Sequence, residues 1–317
     1  MATESKQAVY TVNGKALEVD LKGQDIVWEK DRHGHSLLFQ MFEGVRCACF
    51  INPVRLIKVR NFKLRPDDIY FPGYLRTGGH WVWEMTCMLV SGQAETITRF
   101  KDYLEITPTE DLDNQPSPRV LNCHNHLTHA PSDLKEKKCR VIFTVRDPKD
   151  VAVSLYKMHH GHRDACGNVY NGTFEDFLQL FLEQRVNKNG IFEHLREAEK
   201  YFQENPDKPV HFQPYEDTLK DPVAAVQALS DFLGLKRDDA LCCAIAEKCH
   251  FSNMKSAKDA HAMKIDGANY LFGKGVSGEW RKWFSASMLD DYYRVYEEWM
   301  KGSRFYERYN RDNDTPL

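Results

Sequence analysis

The segment from Ile69 to Trp81 has the residue types of a phosphate-binding loop. It consists of a short apolar strand, a turn that contains glycines and the beginning of an apolar helix. In such a turn, backbone N–H groups and the positive end of the helix dipole point at one place, and glycines let an anion approach closely. Taken alone, the segment is equally compatible with an ordinary strand-to-helix turn.

The spacing of Gly73 and Gly78 matches the nucleotide-binding motif G-x-x-x-x-G-K-[ST], but the next two positions do not. Gly79 stands in place of the lysine, and His80 stands in place of the hydroxyl residue that holds magnesium. This departure argues against a magnesium-dependent nucleotide hydrolase or kinase. The cation of the loop is instead Arg76, which lies inside the turn.

A second anion-binding element is predicted at Arg146 and Ser154. Arg146 follows the apolar run 141–145, which places it at the carboxyl end of a strand, where open α/β sheets bind ligands. A helix that begins just after it carries Ser154 about two turns along. Guanidinium and hydroxyl can both serve one phosphate group, the guanidinium in a bidentate manner. The alternative is that Arg146 pairs with Asp147 or Asp150.

Regularly spaced strands and helices position these residues. Apolar or β-branched runs alternate with helical patterns from about residue 67 onward, which favours a parallel sheet covered by helices on both faces. The strand-like runs are Ile69–Phe71, Val120–Leu121, Val141–Val145 and Val210–Phe212. Helical patterns include the apolar stripe Phe174, Phe177, Leu178, Phe181 and Leu182, and a helix capped by Asp221, begun by Pro222 and ended by Gly234.

The expected fold class is therefore α/β, with a P-loop-like parallel sheet flanked by helices on both faces and a β-rich N-terminal extension. In that extension, residues 8–12 have the pattern of a strand, and Asn13-Gly14 has that of a tight turn. The segment Thr107–Arg119 is short and flanked by apolar stretches, so it is interpreted as a surface loop rather than a linker. A single domain over residues 1–317 is expected.

The composition is that of a globular protein without a general affinity for polyanions. Of 317 residues, 42% are hydrophobic, and 43 basic residues nearly balance 46 acidic ones, which leaves a formal charge of −3. Such a chain buries a substantial core. It has no basic footprint for nucleic acid or an anionic membrane, so any anion site must be local.

The cysteines and the N-terminal sequence predict a cytoplasmic protein. The nine cysteines are odd in number and irregularly spaced, and several lie in apolar runs, which indicates reduced thiols. The first ten residues lack the apolar core of a signal peptide, and no run approaches the roughly 20 apolar residues of a membrane span.

Six motifs, in order, resemble those of the cytosolic sulfotransferases, which transfer a sulfuryl group from 3′-phosphoadenosine 5′-phosphosulfate (PAPS) to a hydroxyl or amine. The motifs are Arg65–Asp68; Tyr74–Trp81, similar to Y-P-K-S-G-T-T-W; Pro118–His124, similar to P-R-L-[LI]-K-[TS]-H; Val145–Ser154; Tyr215–Asp217; and Gly273–Trp280, similar to R-K-G-x-x-G-D-W. The resemblance covers residues 65–290 and leaves 1–64 as a family-variable region. It implies PAPS as co-substrate and adenosine 3′,5′-bisphosphate (PAP) as product.

The resemblance assigns catalysis to His124 and Arg76. His124 is expected to remove the acceptor's proton as the new bond to sulfur forms, a task that suits an imidazole with a reference pKa of about 6.5. Arg76 occupies the place of the family lysine that contacts the 5′-phosphosulfate and stabilises the leaving oxygen. The exchange keeps the charge but changes its geometry.

The resemblance also implies a set of nucleotide-binding residues. The loop contributes Arg76, Thr77, Gly78, Gly79, His80 and Trp81, of which Trp81 is expected near the adenine. The 3′-phosphate is expected to contact Arg146, Ser154, Lys274 and Gly275. Tyr215 and Phe251 are expected beside the adenine, although Trp81 and its aromatic companions are also compatible with plain packing roles.

Two cations of the family motifs are missing. Asn122 replaces the lysine two residues before the base, and Gly273 replaces the arginine beside Lys274. Each charge-assisted bond to a phosphate contributes on the order of 1.5 to 3 kcal/mol. A catalytically impaired nucleotide-binding protein of the same fold is therefore the alternative to an enzyme. Retention of the base and of the 3′-phosphate residues favours the enzyme.

No metal is expected. His126 and His129 lie close to Cys123 and His124, but the cluster lacks a second ligand pair at zinc-finger spacing. A further cluster is interpreted as a polar loop: His159, His160, His162 and Cys166.

The acceptor is expected to be a small molecule. Phenols or catecholamine-like amines are favoured because the aromatic residues can line an apolar pocket. Sulfation of proteins or glycans would normally imply a secretory, membrane-anchored enzyme. The family often dimerises through a segment K-x-x-x-T-V-x-x-x-E, and related residues stand here at Arg281, Ser285, Ala286 and Asp290, which allows a homodimer.

Overall fold

The computed structural model describes residues 9–269 and 275–313. The N-terminal region is β-rich, as predicted. It contains β1 (Tyr10–Val12), β2 (Lys15–Ala16), β3 (Asp25–Lys30), β4 (Ser36–Phe42) and β5 (Val45–Cys47), followed by helix α1 (Pro53–Asn61). Strands β3, β4 and β5 form an antiparallel sheet, and β1 pairs with β2 across the predicted Asn13-Gly14 turn.

A four-stranded parallel sheet forms the centre of the molecule. The chain continues through β6 (Ile69–Phe71), α2 (Gly79–Ser91), α3 (Thr109–Asp113), β7 (Val120–Asn122), β8 (Arg140–Val145), α4 (Pro148–His159), α5 (Phe174–Leu182), α6 (Ile191–Glu204) and β9 (Val210–Pro214). The strand order is β7-β6-β8-β9, with every neighbouring pair parallel. The predicted strands and the α/β fold class are confirmed.

Helices and a small hairpin complete the chain. They are α7 (Tyr215–Lys220), α8 (Pro222–Phe232), α9 (Asp239–Lys248), α10 (Phe251–Lys258), β10 (Lys264–Ile265), β11 (Ala268–Asn269), α11 (Ala286–Met300) and α12 (Tyr306–Tyr309). Strand β10 pairs antiparallel with β1, so the N-terminal strand joins a sheet formed by residues late in the chain. No described helix is long and apolar enough to cross a membrane.

The sheet separates two apolar cores. Along β8, Val141, Phe143 and Val145 enter a core that contains side chains of α5, α6 and α11, whereas Ile142 enters a core built with α2, α8 and α9. This alternation follows from the two-residue period of a strand, and it explains why the buried strands are apolar on both faces. Burial of each large apolar side chain contributes about 1.5 to 3 kcal/mol.

Local sequence signals account for the helix boundaries. Helix α5 begins with a capping box in which Thr173 and Asp176 bond reciprocally, and α8 begins with Asp221 as cap and Pro222 in its first turn. The segment Thr107–Arg119 is not entirely a loop, because it contains α3, whose Leu112 is buried in the larger core.

The strand order creates a crevice. Strand β6 has β7 on one side and β8 on the other, so the connections that leave the carboxyl ends of β6 and β8 diverge to opposite sides of the sheet. Ligands of open α/β sheets bind at such a point. At the opposite end of β6, a buried ion pair joins Arg119 Nη2 to Asp68 Oδ2 at 2.6 Å and aligns the starts of β6 and β7.

Candidate active site

The predicted phosphate loop connects β6 to α2 at the crevice. Gly78 is the N-cap of α2 with φ 92°, and a Cβ at this position would lie 2.7 Å from Cδ2 of Tyr215. Thr77 ties the loop to the sheet, because its Oγ1 donates to the Tyr74 carbonyl at 2.7 Å and lies 2.8 Å from Oγ1 of Thr144 on β8. The backbone N–H groups at the start of α2 thus remain directed into the cleft.

The second anion-binding element lies against this loop. Arg76 Nε donates to Ser154 Oγ at 2.8 Å, and Arg146 Nη1 donates to the Arg76 carbonyl at 3.1 Å. The carboxylate of Asp150 is 3.8 Å from Arg146 Nη2, whereas its shorter bonds go to the N–H groups of Gly278 and Trp280. Pairing with Asp150 is therefore the weaker of the Arg146 contacts, and Arg146 and Ser154, two of the residues predicted at the 3′-phosphate, both contact Arg76.

Aromatic side chains line the adjoining part of the cleft. The rings of Trp81 and Tyr215 meet edge to face with centroids 5.7 Å apart, and the Arg146 guanidinium lies 4.3 Å from the Tyr215 centroid. Phe251 also lines the cleft, where a Cβ at Gly275 would collide with its ring. The predicted adenine residues are thus brought together. Lys274 and Gly273 lie outside the described residues.

His124 follows β7 and faces the same cleft. Its backbone N–H donates to Glu105 Oε1 at 2.8 Å, and its Nδ1 lies 2.7 Å from the carbonyl oxygen of Gly73. Because a carbonyl only accepts, Nδ1 carries the proton and Nε2 has the free electron pair. Burial, reinforced by the ammonium of Lys101, lowers the pKa of His124 to about 3, so the imidazole is neutral at physiological pH.

His80 is linked to His124 through a tyrosine. The Tyr103 hydroxyl lies 3.2 Å from Nε2 of each ring, and it donates to the unprotonated Nε2 of His124. Burial and the charge of Lys101 lower the pKa of His80 well below its usual value. His80 therefore does not replace the missing hydroxyl of the nucleotide motif. It supports a chain of neutral hydrogen-bonding groups that leads to the base.

The sequence patterns do not predict three residues of the site: Lys101, Tyr103 and Glu105. They lie in the irregular segment between α2 and α3, which has no periodicity that predicts an element. Asn122 positions this segment, because its N–H donates to the Asp102 carbonyl at 2.8 Å and Tyr103 forms an isolated parallel bridge with it. Asn122 is buried in this role and does not line the cleft, whereas Lys101 does.

The cleft has a volume of about 740 Å³ and an excess of positive charge. Its described lining includes the basic residues Arg76, Lys101, Arg146, Lys157 and Lys282 against the acidic residues Asp150 and Glu279. Lys157 and Glu279 pair with each other at 2.8 Å. A chain with a formal charge of −3 thus concentrates cations at one place, as expected for a local anion site.

The end of the cleft beyond His124 is apolar. Phe50, Phe100, Ile106 and Met263 line it and pack in one cluster with Tyr103. The two carboxylates of the lining belong to the other end, since Asp150 binds backbone N–H groups near Gly278 and Glu279 binds Lys157. The base therefore lies between an anion-binding end and an apolar end.

The clusters considered for metal binding have other roles. His126 Nε2 lies 2.8 Å from the Lys188 carbonyl, His159 Nε2 lies 2.7 Å from Asn187 Oδ1, and Cys123 is buried in the larger core. Within the described ranges, no three His, Cys, Asp or Glu side chains converge in a way that could hold a metal ion.

The chain is similar to known proteins over most of its length. Residues 66–304 match the sulfotransferase domain model. Human sulfotransferase 4A1 is 29% identical over 267 residues, which cover 82% of this chain and 89% of the relative. Rabbit amine sulfotransferase is 27% identical over 263 residues, which cover 78% of this chain and 85% of the relative.

Solved structures show the same fold. Mouse sulfotransferase SULT7A1 complexed with PAP superposes with a TM-score of 0.71 at 25% identity, covering 85% of this chain and 96% of that one. A retinol dehydratase in complex with androsterone and PAP gives 0.64 at 20% identity, covering 95% and 94%. The chain therefore belongs to the sulfotransferase family, and the enzyme class that its motifs predict, a PAPS-dependent sulfotransferase, is confirmed.

Proposed function

We propose that this protein transfers the sulfuryl group of PAPS to the hydroxyl of a small apolar molecule, with phenols as the first choice. The observation that carries the proposal is the position of His124. Its unprotonated Nε2, which accepts a hydrogen bond from Tyr103, lies in the cleft between a cationic, glycine-containing loop and an apolar pocket. A mouse relative at 25% identity, solved with PAP, supports the same nucleotide for this chain.

The chemical step uses the two ends of the cleft. The acceptor hydroxyl displaces the Tyr103 hydroxyl from Nε2 of His124, and its oxygen attacks sulfur while its proton passes to Nε2. The bond between sulfur and the bridging oxygen breaks, and its electron pair stays on the 5′-phosphate. Arg76 and the N–H groups at the start of α2 stabilise that charge. The base and the cations thus act on opposite sides of one sulfur atom.

We assign the nucleotide to the residues that surround the loop. Arg146 and Ser154, together with Lys274 and Gly275, are proposed to hold the 3′-phosphate. Trp81, Tyr215 and Phe251 are proposed to enclose the adenine, since their rings meet at the same end of the cleft. His124 keeps a low pKa only while the cationic loop is empty, because a bound polyanion offsets the field of the nearby cations and makes the imidazole a stronger base.

The apolar end of the cleft favours an acceptor without a charge. A catecholamine-like amine carries an ammonium that binds most strongly beside a carboxylate. The described carboxylates of the lining are engaged at the nucleotide end, and the ammonium of Lys101 disfavours a second cation nearby. We therefore place neutral phenols and alcohols ahead of amines.

An acceptor panel tests the proposal. Purified protein is incubated with PAPS and with matched pairs of acceptors, such as a phenol and the same ring bearing an aminoethyl chain, and sulfated product is measured by mass spectrometry. We expect turnover of the neutral phenol and at least tenfold lower kcat/KM for the amine. Absence of product from any hydroxyl or amine, together with tight PAP binding, would establish the impaired nucleotide-binding protein instead.

We also propose that the reaction takes place in the cytoplasm. The supporting observation is that all nine cysteines are free thiols and only Cys243 is exposed. Such thiols persist in a reducing compartment. Cell fractionation with an antibody against the native chain measures the location, and recovery of the protein in the secretory fraction would contradict it.

A further inference from the structure

We propose that Lys101 binds the 5′-phosphosulfate of the donor and stabilises the departing phosphate oxygen, in place of the cation that Asn122 lacks. The inference rests on the proposed function and names a further catalytic residue for it. Lys101 belongs to the irregular segment after α2, which no motif of the chain marks.

The position of Lys101 places its ammonium at the phosphate loop. The side chain is nearly buried, with 3% of the residue exposed, and it lines the cleft. Its Nζ lies 2.9 Å from the point that a Cβ on Gly79 would occupy, so it contacts the first residue of α2. It also lies 5.0 Å from the centroid of the Tyr103 ring. The absence of a side chain at Gly79 leaves room for this approach.

The charge of Lys101 is not balanced by the protein around it. Within residues 9–269 and 275–313, no carboxylate oxygen lies within 4.0 Å of its Nζ. Glu105 is close enough to act on it electrostatically, but this carboxylate accepts the N–H of His124. The nearest dipole, the start of α2, has the same sign. An ammonium buried in this way is costly, and an anion in the loop removes that cost.

Lys101 and Arg76 approach the loop from different elements. Arg76 is bonded to Ser154 of α4, next to Arg146. Lys101 comes from the segment that carries Tyr103 and lies at the start of α2. The two cations thus act on one loop from two sides. In the transfer step, the electron pair of the broken S–O bond moves to the phosphate oxygen, and an N–H of Lys101 donates a hydrogen bond to that oxygen.

The protonation state of Lys101 is expected to change when nucleotide binds. Burial lowers the pKa of Lys101 to about 7, and the other ionisable groups that face it are Glu105, Cys87, His80 and His124, with the Tyr103 ring alongside. A bound nucleotide phosphate favours the ammonium and raises its pKa. Near pH 7.5, the protein is therefore expected to take up a proton at Lys101 when PAP binds.

The test compares Lys101→Met, Lys101→Arg and the surface control Lys200→Met. PAP is titrated calorimetrically at pH 7.5 in two buffers of different ionisation enthalpy, and turnover of PAPS with the best acceptor is measured from pH 6 to 9. We expect Lys101→Met to lower kcat about 100-fold and PAP affinity about tenfold. We expect Lys101→Arg to keep more activity, most of all at high pH, because its charge does not titrate.

The proton balance separates a catalytic cation from a structural lysine. Wild type and Lys200→Met should take up protons on PAP binding, and both Lys101 variants should lose that uptake. Thermal melts check folding, and we expect Lys101→Met to be at least as stable as wild type because it removes an unbalanced buried charge.

Two outcomes separate the role of Lys101 from the proposed sulfotransferase activity. In one outcome, wild type turns over, Lys101→Met stays within threefold of wild type in kcat and PAP affinity, and its proton uptake is unchanged. This outcome overturns the role of Lys101 and leaves the proposed function standing. In the other outcome, Lys101→Met loses proton uptake and PAP affinity, but wild type shows no turnover. This outcome supports Lys101 as a phosphate ligand and refutes the proposed enzyme activity.

Discussion

At the scale of single residues, the chemistry depends on which nitrogen of His124 carries a proton. The Gly73 carbonyl accepts a hydrogen bond from Nδ1–H at 2.7 Å, and Gly73 is the first glycine of the phosphate loop. A Cβ at Gly73 would lie 2.5 Å from Oγ1 of Thr144, so the strand and the loop fix the position of this carbonyl. The base is thus oriented by the element that binds the leaving group.

The substitution His124→Ala tests this role. It removes the group that accepts the acceptor's proton, and general base catalysis contributes about 10² to 10⁴ in rate. We expect kcat to fall by that factor while PAP affinity changes less than threefold, as measured by initial rates and calorimetry. His33→Ala, at an exposed position outside the cleft lining, serves as the control. Activity close to that of wild type in His124→Ala would assign the base elsewhere.

The substitution Arg146→Ala tests recognition of the 3′-phosphate. Loss of a charge-assisted bond costs about 1.5 to 3 kcal/mol, so PAP affinity should fall about 10- to 100-fold. Binding of AMP, which lacks that phosphate, should change little. Calorimetry with both nucleotides checks this, with the exposed Arg294→Ala as control. An equal loss for AMP and PAP would show that Arg146 acts by supporting Tyr215 rather than by binding the phosphate.

At the scale of elements, the phosphate loop is set by close packing as much as by sequence pattern. Gly78 combines a left-handed φ with a neighbouring aromatic ring, and Arg76 holds φ 66° although it is not a glycine. Such a conformation in a residue other than glycine costs about 1 kcal/mol or more. It directs the Arg76 side chain to Ser154 and its carbonyl to Arg146.

The substitution Gly78→Ala separates backbone strain from the contact with Tyr215. The added methyl must displace the Tyr215 ring, so we expect at least tenfold weaker PAP binding and a loss of stability above that of a simple turn glycine. Gly34→Ala is the matched control, with φ 89° and no atom within 4 Å of the added Cβ. Urea unfolding and PAP titration measure the two effects. Equal behaviour of the two variants would contradict the packing explanation.

The sequence predicts those parts of the site that lie on periodic elements. Strand β8 and helix α4 have clear patterns, and they carry Arg146 and Ser154 to the crevice as expected. Lys101, Tyr103 and Glu105 could not be predicted, because their segment is irregular and reaches the site only by pairing with Asn122. Asn122 lacks the charge of the family lysine, and its backbone anchors the segment that contains Lys101.

At the scale of the whole molecule, several buried histidines link folding to pH. Burial lowers the pKa values of His80, His124, His159 and His194, with His159 at about 4. Below a pH of about 6.5 the unfolded chain binds protons that the folded protein excludes, so the free energy of unfolding falls as pH decreases toward 4.

Urea unfolding at pH 7.5 and 5.0 measures this linkage. We expect stability to decrease at the lower pH by on the order of 1 kcal/mol for each such histidine. The variant His194→Phe should show a smaller decrease, because His194 is 1% exposed and stacks on Phe143. The exposed His250→Phe is the control. Identical pH dependence in wild type and His194→Phe would rule out His194 as a contributor.

A homodimer stays a prediction. Its expected segment includes Arg281, Ser285, Ala286 and Asp290, all of them exposed in the described structure. Asp290 bonds Arg311 of its own chain at 2.8 Å, a pair that a partner would have to accommodate. Light scattering after size-exclusion chromatography measures the mass. We expect a dimer of wild type that Ser285→Arg converts to a monomer, and a monomeric wild type would refute the prediction.

We also expect residues 1–317 to fold as one domain. Leu37 and Phe39 of β4 lie in the same core as Phe143 of the central sheet, although their strand belongs to the family-variable region. Removal of residues 1–64 would open that core. A truncated chain that unfolds in a single transition with undiminished stability would contradict this expectation.

The pairing of β1 with β10 attaches the N-terminal strand to a segment late in the chain. Tyr10 lies opposite Ile265, and both pack in one cluster with Phe100, Tyr103 and Met263, which line the apolar end of the cleft. Residues more than 250 positions apart in sequence therefore support the apolar border of the cleft together. We therefore expect substitutions in β1 to affect the function of this enzyme. We expect such changes to alter the shape of the acceptor pocket without replacing any residue that lines it.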